Sequence, residues 1–233
     1  MESSNYPRSE GKNVVVTIGA GESDIVIGGH WDAFWLSERT LSKGVIDNGC
    51  SSVVLVRIAQ ALKEEDLSHR VRIVFFDAEE IGLIGSKNYI ETHKGDNIAA
   101  AINLDVLGYG NTIMFGPRNL AGNNVIYRAL KSICVEKDFN FIEFPEYPTS
   151  DDRSFQTADI DNISIGTVPA EEGHHMWLMV NGHGDIFREG TAPAVFRNIH
   201  SGSDNISNVD PLGMTLVYYV VLETVKQLDL ILK

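Results

Sequence analysis

Short apolar runs alternate with longer amphipathic ones along this chain of 233 residues. That alternation predicts an α/β fold built on a mainly parallel sheet with helices on both faces, whose doubly buried strands read as near-continuous apolar runs. Strands are expected over residues 14–18, 24–29, 70–77, 99–104, 112–115, 139–144 and 162–168. Helices are expected over 50–63, 85–92, 123–137 and 209–232. The third helix shows its period plainly, with Val125, Ile126, Leu130, Ile133 and Cys134 on one side. Residues 169–197, rich in Gly, Pro, His and Trp, read as a long irregular loop, and loops of that length in a compact domain are usually functional. No internal repeat or low-complexity linker divides the chain, so residues 1–233 are read as one domain large enough to bury a real core.

Composition narrows the class. Apolar residues make up 43% and charged residues 22%, which argues against a disordered chain. The formal net charge is −13, and no basic stripe supplies a counterion-release contribution. Neither nucleic acid nor an anionic membrane is therefore an expected partner, and oligomeric state is not readable. The opening residues MESSNYPRSEGKN are polar and carry no apolar core of a secretion signal, so a cytoplasmic protein is expected. The late apolar stretch 216–222 is far shorter than the roughly 20 residues that span a bilayer. Cys50 and Cys134 are too few for a disulfide scaffold.

Candidate chemistry sits where apolar runs end. GGHWD, residues 28–32, closes a strand, and in an extended chain His30 and Asp32 project to the same side. Asp32 can then orient the imidazole, as carboxylates do for metal-binding histidines. GVIDNGCSS, residues 44–52, puts Asp47 and Asn48 on a glycine-flanked turn that opens a helix, which alone makes only a good helix cap. FFDAEEIGLIGS, residues 75–86, places Glu79 and Glu80 side by side after a buried strand. Two acids there are costly unless a metal ion binds one carboxylate and leaves the other free to handle protons. INLDVLGYG, residues 102–110, ends its apolar run at Asp105, and NIHSGSDN, residues 198–205, offers His200. His30, Asp47, Glu80, Asp105 and His200 make a mixed nitrogen and oxygen set that suits Zn²⁺ or a similar divalent ion. Three carboxylates against two such ions leave a single positive charge, which a bridging hydroxide, the prospective nucleophile, would neutralise.

In their order and context these five motifs resemble the co-catalytic dizinc aminopeptidase family, from about Val14 to Leu232. That family includes secreted bacterial leucine aminopeptidases and has glutamate carboxypeptidase and glutaminyl cyclase as relatives. The resemblance implies a three-layer α/β/α sandwich around a central mixed, mainly parallel sheet. It also implies two Zn²⁺ per chain, with His30 and Asp105 on one, Glu80 and His200 on the other, and Asp47 bridging them through a cis peptide to Asn48. Glu79 would be the general base. The implied reaction removes N-terminal residues from peptide or aminoacyl substrates through a zinc-bridging hydroxide.

Phe34, Trp35, Trp177 and Met179 are expected around the substrate side chain, because apolar residues in loops flanking the ligands are expensive to expose. Packing of those loops on the core is the alternative. One departure from the family pattern stands out: Ser150, Asp151, Asp152 and Arg153 occupy the place of its usual Ser-Asp-His. Of the other histidines, His69, His93, His174, His175 and His183 read as surface or loop residues, with His174 and His175 nearest in expectation to the site. A single-zinc glutaminyl cyclase is an alternative function, although a Trp commonly precedes its last histidine ligand and Ile199 stands here. A non-enzymatic binding domain is another, although such relatives usually lose ligands and all five are present. There is no GxSxG, HExxH, Walker or complete GxGxxG motif.

Overall fold

A computed structural model describes residues 11–37, 40–117, 124–183 and 192–232. Among these residues the strands are β1 Val14–Ile18, β2 Ser23–His30, β3 Trp35–Ser37, β4 Thr40–Leu41, β5 Arg70–Phe76, β6 Asn97–Leu104, β7 Thr112–Gly116, β8 Phe141–Glu143 and β9 Asn162–Val168. The helices are α1 Cys50–Leu62, α2 Ile84–Thr92, α3 Val125–Glu136, α4 Asp152–Thr157, α5 Ala170–Leu178, α6 Val195–Asn198 and α7 Pro211–Ile231. Seven strands form one sheet in the order β1-β5-β2-β6-β9-β7-β8, while β3 and β4 make a separate hairpin. β5, β2, β6 and β9 run parallel, and β8 is parallel to β7. β1 and β7 are antiparallel to β5 and β9, so the sheet is mixed and mainly parallel.

Alternate residues of the central strands feed two cores. Ile25 and Ile27, Val71 and Ile73, and Ile102 and Leu104 pack with α1, α3 and α7 through Leu55, Ile58, Leu130 and Val221. Val26, Val74 and Ala101 point the other way, against Tyr89 of α2 and Phe155 of α4. Helices on both faces are what make these strands apolar at successive positions. A Cβ at Gly29 would come 2.5 Å from the Leu104 carbonyl oxygen, so glycine lets β2 run tight beside β6 up to His30. In register, His30 lies opposite Phe76 and Gly28 opposite Asn103. The loops after β2, β5 and β6 therefore emerge at one edge of the sheet, where open α/β sheets bind ligands.

Three expectations need correction. The strand expected over 139–144 is only Phe141–Glu143, with Phe139 edge-on to Tyr219 and Phe144 packed near Tyr147. Residues 169–197 are not one irregular loop, because they contain α5 and the start of α6, on either side of residues that lie outside the described ones. Pro169 at the cap with Glu171 and Glu172 in the first turn are ordinary helix-start features, since acids complement the positive end of the helix dipole. His69 is not at the surface. It is buried, with Nδ1 2.9 Å from Asp229 Oδ1 of α7, and that carboxylate also accepts the backbone N–H groups of Ser68 and His69.

Candidate metal centre

Each candidate ligand is placed by the end of an element. β2 ends on His30, β5 leads through Asp77 and Ala78 to Glu79 and Glu80, and β6 leads to Asp105. Asp47 lies in the turn Val45–Gly49 that opens α1, and its peptide bond to Asn48 is cis, as the family resemblance implies. His200 follows α6. Ala78, Val106 and His200 hold left-handed backbone, at φ 58°, 57° and 53°. Such conformations in non-glycine residues are unfavourable and gather at functional sites.

His30 and His200 converge on Asp47, and each also meets a second carboxylate. His30 Nε2 is 3.0 Å from Asp47 Oδ1 and 3.4 Å from Asp105 Oδ1. His200 Nε2 is 3.0 Å from the other Asp47 oxygen, Oδ2, and 3.1 Å from Glu80 Oε2. One buried carboxylate thus faces two imidazoles, one through each oxygen. Glu80 Oε1 is buried and accepts no hydrogen bond. Buried carboxylate oxygens without a donor are costly, and a cation satisfies them. His30, Asp47 and Glu80 place one ligand atom each within 4.8 Å of one another.

The charges follow this crowding. Burial opposes a charge on His30, but hydrogen bonds to Asp105, Asp32 and Asp47 outweigh it and raise the imidazole well above its usual value. Hydrogen bonds to Asp47 and Glu80 push His200 up to about 10. Asp47 is held well below the carboxylate range, because contacts with His200 and His30 overcome its burial. Glu79 goes the other way: burial, followed by the negative charges of Asp105, Asp151 and Glu80, pushes it up to about 9. The surplus of negative charge is the electrostatic condition of a cation site.

Supporting residues fix the geometry. The Asp32 carboxylate lies 3.4 Å from His30 Nδ1 and accepts the backbone N–H groups of Glu79 at 3.1 Å and Glu80 at 3.2 Å. Phe34 stacks on His200, with ring centroids 4.3 Å apart and planes at 15°. A residue with no role in the sequence reading, Asp204, is fully buried and accepts the backbone N–H groups of Val45, Ile46 and Asp47 at 3.0, 2.7 and 3.1 Å. Its position four residues after His200 was the only sequence clue. Glu172 of α5 accepts the Tyr109 hydroxyl and the Val195 N–H, each at 2.9 Å, and so ties the loop after β6 to α6.

A cavity of about 390 Å³ opens onto His30, Asp47, Glu79, Glu80, Asp105 and His200. Its apolar wall includes Phe34, Met114, Tyr147, Met176, Phe196 and Ile199. Of the four residues expected around a substrate side chain, Phe34 lines this cavity, while Trp35, Trp177 and Met179 are not among its lining residues. Trp35 is half exposed opposite Leu41 in the hairpin, and the Trp177 indole donates to the Glu143 carbonyl. His174 and His175 are exposed on α5 and are not among the lining residues either. Asp151 and Asp152 are fully buried and are pushed up by burial to about 7.

The sequence profile of Peptidase family M28 matches residues 13–225. A probable leucine aminopeptidase 2 of Aspergillus oryzae is 27% identical over 216 residues, covering 85% of this chain and 40% of that protein. A solved zinc aminopeptidase of Bacillus subtilis superposes with a TM-score of 0.70 at 19% identity, covering 92% of this chain and 49% of its own. Glutaminyl cyclase of Porphyromonas gingivalis superposes with a TM-score of 0.70 at 19% identity, covering 93% of this chain and 76% of its own. The chain spans half or less of the length of the two aminopeptidases.

Proposed function

The chain belongs to peptidase family M28, and on that premise we propose that it is a zinc-dependent aminopeptidase that removes the N-terminal residue of peptides. The observation that carries this reading is Asp47, whose two oxygens each face a different histidine. His30, Asp47 and Asp105 would hold one ion, and Asp47, Glu80 and His200 a second. The unpaired oxygen of Glu80 and the mixed donor set fit zinc. When bound, zinc supplies Lewis acidity toward a substrate carbonyl and toward water.

The remaining roles belong to the chain's own side chains. Glu79 lines the cavity beside the ligands, where negative neighbours favour its proton-bound form. Positive charge at the ligand atoms opposes that shift, leaving a carboxylate that can take a proton from water and deliver it to the leaving amine. Asp32 orients His30 through Nδ1, so that Nε2 points at Asp47 and Asp105. Met114, Tyr147, Met176, Phe196 and Ile199 form an apolar wall that would receive an apolar N-terminal side chain and exclude water.

A glutaminyl cyclase-like acyl transfer is the second reading. What supports it is that the fold superposes on the cyclase of Porphyromonas gingivalis as well as on the Bacillus enzyme, each with a TM-score of 0.70. A panel of aminoacyl and N-terminal glutaminyl substrates, assayed with added zinc, separates the two. Release of apolar N-terminal residues supports the peptidase, whereas cyclisation of glutaminyl substrates without any residue release overturns it.

A further inference from the structure

Asp47 is the ligand on which both metal positions depend, yet its turn is poorly held by local means. Gly44, which precedes the turn, is left-handed at φ 57°, and no side chain caps it. Asp47 and Asn48 themselves have non-helical backbone, at φ −118° and −138°. The N–H groups of Val45, Ile46 and Asp47 instead converge on one carboxylate more than 150 residues away in sequence, that of Asp204. Oδ1 takes Val45 and Ile46, and Oδ2 takes Asp47. The same segment carries His200, and Ser42 adds a second tie, donating to the Ser201 carbonyl and accepting the Gly44 N–H.

We propose that Asp204 is a positioning residue that presents Asp47 to both metal positions and locks the Asp47 turn to the His200 loop. This role rests on the two-ion reading above. It follows from the third bond in particular. The two Oδ1 bonds hold the start of the Val45–Gly49 turn, and the Oδ2 bond restrains the residue whose side chain is shared. A fully buried carboxylate with three N–H donors is an anchor of fixed direction, so the ligand atoms on either side of it move together or not at all.

The test uses the full chain and the variants Asp204→Asn and Asp204→Ala. The asparagine keeps one acceptor oxygen but sets an NH₂ group against one of the backbone donors. Zinc affinity is measured by competition with a chromophoric chelator, and the Co²⁺-loaded proteins are compared by visible absorption. Both variants are expected to keep the native circular dichroism spectrum. Zinc affinity should weaken about 10- to 100-fold, the usual effect of losing a partner that orients a ligand, with alanine worse than asparagine and the Co²⁺ spectrum altered. Native zinc affinity and a native Co²⁺ spectrum in both folded variants would overturn the proposal. So would an Asp204→Asn protein that stays unfolded in excess zinc, since the carboxylate would then be holding the fold rather than the site. Wild-type protein that takes up one ion instead of two overturns the two-ion reading separately, through stoichiometry rather than through the variant's affinity.

Discussion

The carboxylate of Asp32 receives the backbone N–H of Glu79 at 3.1 Å while lying 3.4 Å from Nδ1 of the His30 ring. One side chain therefore holds both the His30 ring, proposed as a metal ligand, and the backbone of Glu79, proposed as the proton carrier. Asp32→Asn removes the charge but keeps the shape, and turns an NH₂ group toward one of these donors. Turnover is expected to fall about 10- to 100-fold, with zinc affinity weakened in parallel. Steady-state rates measured alongside chelator competition check this, and an unchanged affinity with unchanged rates would remove Asp32 from the site.

The adjacent acids should fail in different ways. Glu80 reaches His200 and carries an unpaired oxygen at the ligand cluster, whereas Glu79 lines the cavity without a close partner among the ligands. Glu79→Gln is expected to keep its metal content and lose about 10²- to 10⁴-fold in turnover, the ordinary worth of a general base. Glu80→Gln is expected to lose metal and to recover part of its activity in excess zinc. Metal analysis beside rate measurement distinguishes them, and the opposite pattern reverses the two roles.

The buried carboxyls of Asp151 and Asp152 predict a pH dependence of stability. Burial raises both from an ordinary 3.8 to about 7, so the folded state retains protons that the unfolded chain has released. Their favourable neutral form is fully present below about pH 4, and its contribution is lost as pH rises toward 7. Asp152→Asn, which is neutral at every pH, should therefore gain on the wild type across that window and hold a constant advantage above it. A shift of this size corresponds to about 4 kcal/mol at most. Urea unfolding of the two proteins between pH 5 and 8 checks the sign, and a constant difference throughout would contradict it.

Much of this arrangement was legible in the chain because doubly buried strands announce themselves as apolar runs. His30, Glu79 and Asp105 could be placed at strand ends for that reason. Asp47 and His200 had no such frame and were identified through their place in the family's order of motifs. What could not be read depends on contacts between distant segments. Asp204 gains its meaning only from the N–H groups of a turn more than 150 residues earlier. The apolar wall is assembled from β7, the loop before α4, α5 and the segment around α6, and on α5 it is Met176 rather than its neighbour Trp177 that lines the cavity. α4, with six residues, and the β3–β4 hairpin are too short for a hydrophobic period to show.

Asp47 faces one histidine through each oxygen, the arrangement from which two ion positions are proposed. Elemental analysis of zinc-loaded, desalted protein tests that directly. Two equivalents per chain are expected in the wild type, and Asp47→Ala should lose at least one of them together with nearly all activity. A single tight equivalent that Asp47→Ala leaves untouched would contradict the shared-ligand centre.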